Sequence, residues 1–346
     1  MPQPLLSRFR YWLSTLVCCL AALLARAQST PSDSFEHYRL TKSRLGSFEV
    51  HVSKAEDNAR KPLLVYLDGS GNFPLYYKTK SGRYSTAVPL SVKRYAKQYR
   101  VVLISKPGIP FQDSLRYGSS GQSYYPDNAT FQQHYSLDWR AETAAAAIDY
   151  VAKKLPIDQR KIVVMGFSEG SQVAPRVAVL NKKVTHVVCL AGNALNQLYD
   201  FLVGARLQVE RQELTAEQGQ QIVDSLYREY AKIYQAPQAT DKSWFGATYR
   251  KWSSFSQPTP LESMLKLNIP ILYIAGGKDR NQTIVTMDYA RLEFLRRGKS
   301  NLTYRVFPNA NHYFEEITTV DGAPKKVDRL DEVHQLALEW VEARPK

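Results

Sequence analysis

Gly166-Phe167-Ser168-Glu169-Gly170 directly follows the apolar run Ile162-Val163-Val164-Met165, and this junction constrains the fold more than any other stretch of the chain. A short apolar run closing on glycine, serine and glycine predicts a buried strand that turns abruptly into a helix. The turn is so tight that the serine takes strained backbone angles and lifts its hydroxyl above the sheet. Only glycine clears the neighbouring backbone at the flanking positions. At typical glycine and serine frequencies the pattern would arise about 0.05 times in a chain of this size, so chance is a poor account of it.

Similar apolar runs recur along the chain. Residues 63–67, 101–104, 184–191 and 271–274 are short and continuously apolar or nearly so, as expected of parallel strands covered on both faces, and residues 302–307 read as a further strand. Residues 38–52 read as two strands with a turn near Gly46. Between the runs lie helical patterns: near 88–97, across 138–155, after Ser168, across 283–297 and from 327 to 343. Strands alternating with helices in this way predict an α/β fold, a mostly parallel central sheet with helices on both faces, because right-handed crossovers place them there.

Two stretches interrupt the alternation. Residues 106–136 hold prolines, glycines and several tyrosines, including Tyr117, Tyr124 and Tyr125, and read as a long loop, either ordered near a site or packed on itself. From 193 to 235 the pattern turns helical. Thr215 and Gln218 have capping-box spacing, and Ile222, Val223, Leu226, Tyr227, Tyr230, Ile233 and Tyr234 recur at helical intervals. Residues 193–260 are therefore expected to form a helical cap insertion over the carboxyl edge of the sheet.

The first 27 residues combine Arg8 and Arg10, an apolar stretch over 11–25 and Ala25-Arg26-Ala27 before Gln28. They read as a cleaved secretory signal peptide, since a membrane span needs about 20 apolar residues. The expected mature chain, 28–346, would form one domain and be secreted or periplasmic. Cleavage would remove three arginines and no acids, taking the net charge from +14 to +11. A basic surface bears on solubility and encounter rather than chemistry, and no lysine and arginine run suggests nucleic acid as a partner. Of three cysteines only Cys189 would remain, inside an apolar run, where a buried structural thiol is expected.

A serine hydroxyl is a weak nucleophile until a base takes its proton, and the base needs a third group to orient it. Asp279, in Gly276-Gly277-Lys278-Asp279, and His312, in Asn309-Ala310-Asn311-His312-Tyr313, each follow a predicted strand. Ser, Asp, His, each beyond a strand's carboxyl end, is the chain order of the α/β-hydrolase triad. Asp200, after the preceding strand, is the rival orienting acid.

On these residues, with Asp158-Gln159-Arg160-Lys161 leading into the nucleophile strand, the chain resembles α/β-hydrolase superfamily serine hydrolases across about residues 60–345, most closely the dienelactone-hydrolase-like and prolyl-oligopeptidase-like branches. The resemblance implies Ser168 as nucleophile, His312 as general base and then acid, and Asp279 as the group that fixes the imidazole. It also implies an oxyanion hole made by the backbone amide of Glu169 and a second amide from Gly69, Ser70 or Gly71. Asp68 stands where many lipases carry histidine, and Glu169 adds a second carboxylate beside the hole, its side chain expected in a salt bridge.

The expected function is hydrolysis of a carboxylic ester through an acyl-enzyme on Ser168, with no cofactor and no metal, on a small-molecule or short acyl or peptidyl substrate. The alternatives are a prolyl-oligopeptidase-like serine peptidase and a catalytically inactive binding protein of the cell envelope.

Overall fold

The structure is a computed structural model that describes residues 30–320 and 323–344. The proposed signal segment, 1–27, lies outside the described residues.

Eight strands form the central sheet: β1 (Phe35–Lys42), β2 (Gly46–Ser53), β3 (Lys61–Leu67), β4 (Arg100–Ile104), β5 (Ile157–Phe167), β6 (His186–Leu190), β7 (Ile271–Gly276) and β8 (Leu302–Phe307). Their spatial order is β1-β2-β4-β3-β5-β6-β7-β8. β1 with β2 and β2 with β4 are antiparallel; every later pairing is parallel. The strand ending in Ser168's turn is thus central, and it pairs Gly166 with Leu67 of β3 on one side and Cys189 of β6 on the other.

Successive residues of β5 face opposite sides. Ile162 and Val164 join the core packed by α1 (Leu137–Lys154) and α2 (Glu169–Leu180), through Ile148, Val151, Val173 and Val177, with Phe294 of α6 (Val285–Arg296) in the same layer. Val163 and Met165 join the opposite core, where α7 (Leu330–Glu342) supplies Val333, Leu338 and Trp340. Both faces are covered, which is why these strands carry no polar alternation.

Residues 193–260 contain α3 (Gln197–Glu210), α4 (Ala216–Gln235) and α5 (Tyr249–Ser254). The Thr215 hydroxyl and Gln218 side chain cap α4 reciprocally. Leu198, Tyr230, Ile233, Tyr249 and Trp252 form a satellite core of their own, separate from the two sheet layers.

Three expectations are corrected. Residues 106–136 are not one loop: they hold short strands at Gln112–Ser114, Arg116–Tyr117 and Ser123–Tyr124 and a helix at Ala129–His134. Gln112–Ser114 pairs with Tyr76–Lys78, a partner too distant in sequence for local periodicity to reveal. The helix near 88–97 shrinks to one turn, Val92–Tyr95, and the last helix starts at Leu330 because residues 323–328 pair with 315–320 as a hairpin.

Candidate active site

Ser168 sits between β5 and α2 with φ of 52° and ψ of −121°, a left-handed conformation costly for any residue with a side chain. The flanking glycines explain how the turn closes. A Cβ on Gly166 would overlap the Gly170 carbonyl, and a Cβ on Gly170 would overlap the carbonyls of Leu67 and Asp68. Ser168 N–H donates to the Leu190 carbonyl at 2.8 Å, tying the elbow to β6.

The loops after β7 and β8 converge on that hydroxyl. His312 Nε2 lies 3.0 Å from Ser168 Oγ, and His312 Nδ1 lies 2.8 Å from Asp279 Oδ2. The other carboxylate oxygen of Asp279 accepts from the amides of Asn281 at 2.8 Å and Gln282 at 2.9 Å, which fixes its orientation. Asp279 and His312 are buried; Ser168 is half-buried, with its hydroxyl side open to a cavity. The rival Asp200 lines the same cavity as Ser168, but it is Asp279 that His312 Nδ1 meets. Asp200 is bonded by the Asn193 side-chain amide, and burial pushes its carboxyl up to about 8.

The two carboxylates beside the elbow are both neutralised. Asp68 Oδ2 meets Lys106 Nζ at 2.7 Å and its Oδ1 meets Arg140 Nη2 at 2.8 Å. Glu169 Oε1 accepts from the Tyr135 hydroxyl and from Arg140 Nη1 at 3.3 Å, while Oε2 meets Lys251 Nζ at 3.1 Å and Gln197 Nε2 at 3.1 Å. Burial alone would raise the Glu169 carboxyl, but the Lys251 and Arg140 charges outweigh it and hold it down to about 2. Lys106, Arg140 and Lys251 thus face two buried carboxylates behind the elbow, and burial draws the Lys106 and Lys251 ammoniums down from their usual range while Asp68 and Glu169 act against that shift.

That network also shapes the loop after β3. Lys106 Nζ donates to the carbonyls of Gly69 at 2.7 Å and Gly71 at 2.8 Å, which fixes both oxygens. Gly69 packs on Ser168: a Cβ built there would sit 3.5 Å from the serine Cβ. The amides of Gly69, Ser70 and Gly71 have no partner among the described residues.

A sequence model of the alpha/beta hydrolase family matches residues 69–318. The chain belongs to the alpha/beta hydrolase family. No curated protein matches it by sequence. Among solved structures, an acylaminoacyl peptidase from Pyrococcus horikoshii is similar in fold, with 13% identity, a TM-score of 0.54, and coverage of 93% of this chain and 43% of that one. Dipeptidyl peptidase 4 from Porphyromonas gingivalis aligns with 12% identity and a TM-score of 0.54, over 90% of this chain and 35% of that one. This hydrolase therefore spans less than half the length of either peptidase.

Two cavities flank the hydrolase elbow. The first, about 400 Å³, is lined by Ser168, Gln197, Phe201, Gln208 and Gln282 among others, so residues of the 193–260 segment form much of its wall. The second, about 290 Å³, is lined by Asn72, Phe131, Phe245 and Thr248 among others. Ser70, Lys251 and Trp252 line both.

Sequence reasoning missed Lys106, Arg140, Gln197 and Lys251. Each stands in an element with no local reason to carry a buried polar group, and their carboxylate partners are 28 to 82 positions away along the chain, a separation beyond any periodicity signal. The one local sign was the pair of carboxylates, Asp68 and Glu169, at positions that required counter-charges.

Proposed function

We propose that this member of the family is a serine hydrolase acting on carboxylic esters. The observation that carries the reading is the continuous hydrogen-bonded relay from Asp279 through His312 to the Ser168 hydroxyl, at 2.8 Å and 3.0 Å. His312 Nε2 takes the Ser168 proton as Oγ attacks the ester carbonyl, and Asp279 holds the imidazole tautomer and stabilises its cation. The carbonyl oxygen becomes an oxyanion held by the Glu169 amide and an amide of Gly69, Ser70 or Gly71. His312 returns the proton to the leaving alcohol. The second half runs the same exchange with water, releasing the acid and restoring Ser168.

The same relay cleaves amides, and the likeness in fold to an acylaminoacyl peptidase keeps peptide hydrolysis as the second reading. The chain is further proposed to be exported, residues 1–27 acting as the signal peptide.

The first test is covalent labelling with a fluorophosphonate, alongside turnover of p-nitrophenyl acetate. Ser168→Ala is expected to abolish labelling and to lower turnover by about 10⁴-fold or more, and His312→Ala to do nearly the same. Equal labelling of wild type and Ser168→Ala would remove the nucleophile assignment. A matched panel of acyl esters and dipeptidyl amides separates ester from peptide hydrolysis. Activity is expected to decline on acidification, since an imidazolium cannot accept the serine proton. Activity that stays level on acidification would count against His312.

A further inference from the structure

Among the described residues, no leucine, isoleucine, valine or methionine lines the cavity at Ser168 or the second cavity that shares Ser70, Lys251 and Trp252 with it. A pocket for a long acyl chain removes apolar surface from water and is built from such side chains. These cavities offer side-chain amides instead, Gln208 and Gln282 in the first and Gln132 in the second, together with aromatic rings, while the Gln197 amide is engaged by Glu169, Gln172 and Lys251 and the Asn72 amide donates to the Tyr125 and Pro126 carbonyls. The cations at the first cavity are already matched, Lys251 to Glu169 at 3.1 Å and Arg280 to Glu213 at 3.2 Å, so no unpaired ammonium or guanidinium marks it for an anion. Amides that both donate and accept, set between aromatic faces, suit a ring bearing many hydroxyls. The hydroxyls exchange hydrogen bonds with the amides, and the C–H face of the ring lies on the negative face of an arene.

One residue at the mouth is held there against its backbone preference. Phe245 and Gly246 form the two-residue loop of a hairpin pairing Ser243–Trp244 with Ala247–Thr248, with φ of 47° and 71°. Positive φ at both central positions is the hairpin geometry that selects Asn-Gly or Asp-Gly, and a bulky aromatic there is an outlier. Phe245 is nevertheless 73% exposed, so its ring is not held by burial. It leans on an aromatic stack: its centroid lies 4.8 Å from Trp244 and 5.5 Å from Phe201, and Phe201 lines the first cavity while Phe245 lines the second. A strained, solvent-facing ring on the wall of the second cavity, stacked through Phe201 on the wall of the first, is a surface suited to stacking.

We propose that the substrate is a short-chain acyl ester of a saccharide, with the glycosyl part held by the cavity amides and stacked on Phe245. The inference rests on the serine-esterase reading and names its substrate class. Ser168 attacks the acyl carbonyl, the sugar hydroxyl leaves with the proton from His312, and water then releases the short acid from Ser168.

The test compares kcat/KM on an acetylated xylo-oligosaccharide, ethyl acetate, p-nitrophenyl acetate, p-nitrophenyl octanoate and a dipeptidyl amide. Ser168-dependent turnover of p-nitrophenyl acetate tests the esterase reading itself. With that established, the saccharide acetate is expected to exceed ethyl acetate at least a hundredfold. Parity of those two, or preference for the octanoate or the amide, would overturn the saccharide assignment while leaving the serine hydrolase in place. Phe245→Asn supplies the second arm, because asparagine suits the turn. It is expected to hold or raise Tm while lowering kcat/KM on the saccharide acetate, mainly through KM, at least tenfold more than on p-nitrophenyl acetate. An equal effect on both substrates, or none, would overturn the role given to the ring.

Discussion

At the residue scale the elbow and its ion network have different tolerances. Gly166 and Gly170 are held by contact with backbone, which cannot swing aside as a side-chain tip can. Gly170→Ala is expected to destabilise the fold by about 3 kcal/mol or more, or to prevent soluble expression, as read by urea unfolding. Glu169 is sensitive for another reason. Glu169→Gln would leave the buried Lys251 ammonium and Arg140 guanidinium short of a counter-charge, at a cost of about 3–5 kcal/mol. Full stability in that variant would show that the network is not holding the elbow. Both residues were singled out by the sequence, Gly170 from its motif and Glu169 as a carboxylate in need of a partner. Which cations would answer Glu169 was not legible, since Arg140 and Lys251 stand 29 residues before it and 82 after it.

At the scale of elements, the strands of the sheet and the helices of the 193–260 segment differ in how they are held. β5 and β6 lie between two large cores, whereas α3 and α4 share a small satellite core around Tyr230, Ile233 and Trp252. The satellite core can open without exposing either sheet layer, so α3 and α4 are expected to exchange amide hydrogens well before β5 and β6. Exchange mass spectrometry showing one cooperative unit would refute this. The element types were legible wherever burial on both faces gave unbroken apolar runs, as in β3, β5 and β7. They were illegible at Gln112–Ser114 and in the hairpin after Phe314, where pairing rests on partners rather than on the strand's own composition.

For the molecule as a whole, buried ion pairs set an acid limit on the fold. The Glu169 carboxyl is lowered from 4.5 to about 2 by Lys251 and Arg140, so its contribution is complete above the unfolded value and fades as pH falls towards 2. The midpoint of urea unfolding is therefore expected to drop between about pH 4.5 and 2 in the wild type, and the drop to be smaller in Glu169→Gln. The α/β class, the parallel core strands, the elbow and the order Ser168, Asp279, His312 could be read from sequence alone. Each follows from local rules: which runs are apolar enough to be buried, and which turn needs glycines. Only the tertiary structure put Asp279 rather than Asp200 against His312, gave Asp68 and Glu169 their cations, and set amides and aromatic rings in the cavity at the serine. Those outcomes depend on where chain segments far apart in sequence meet, which is determined by the packing of the whole sheet and its layers and leaves no trace in any single segment.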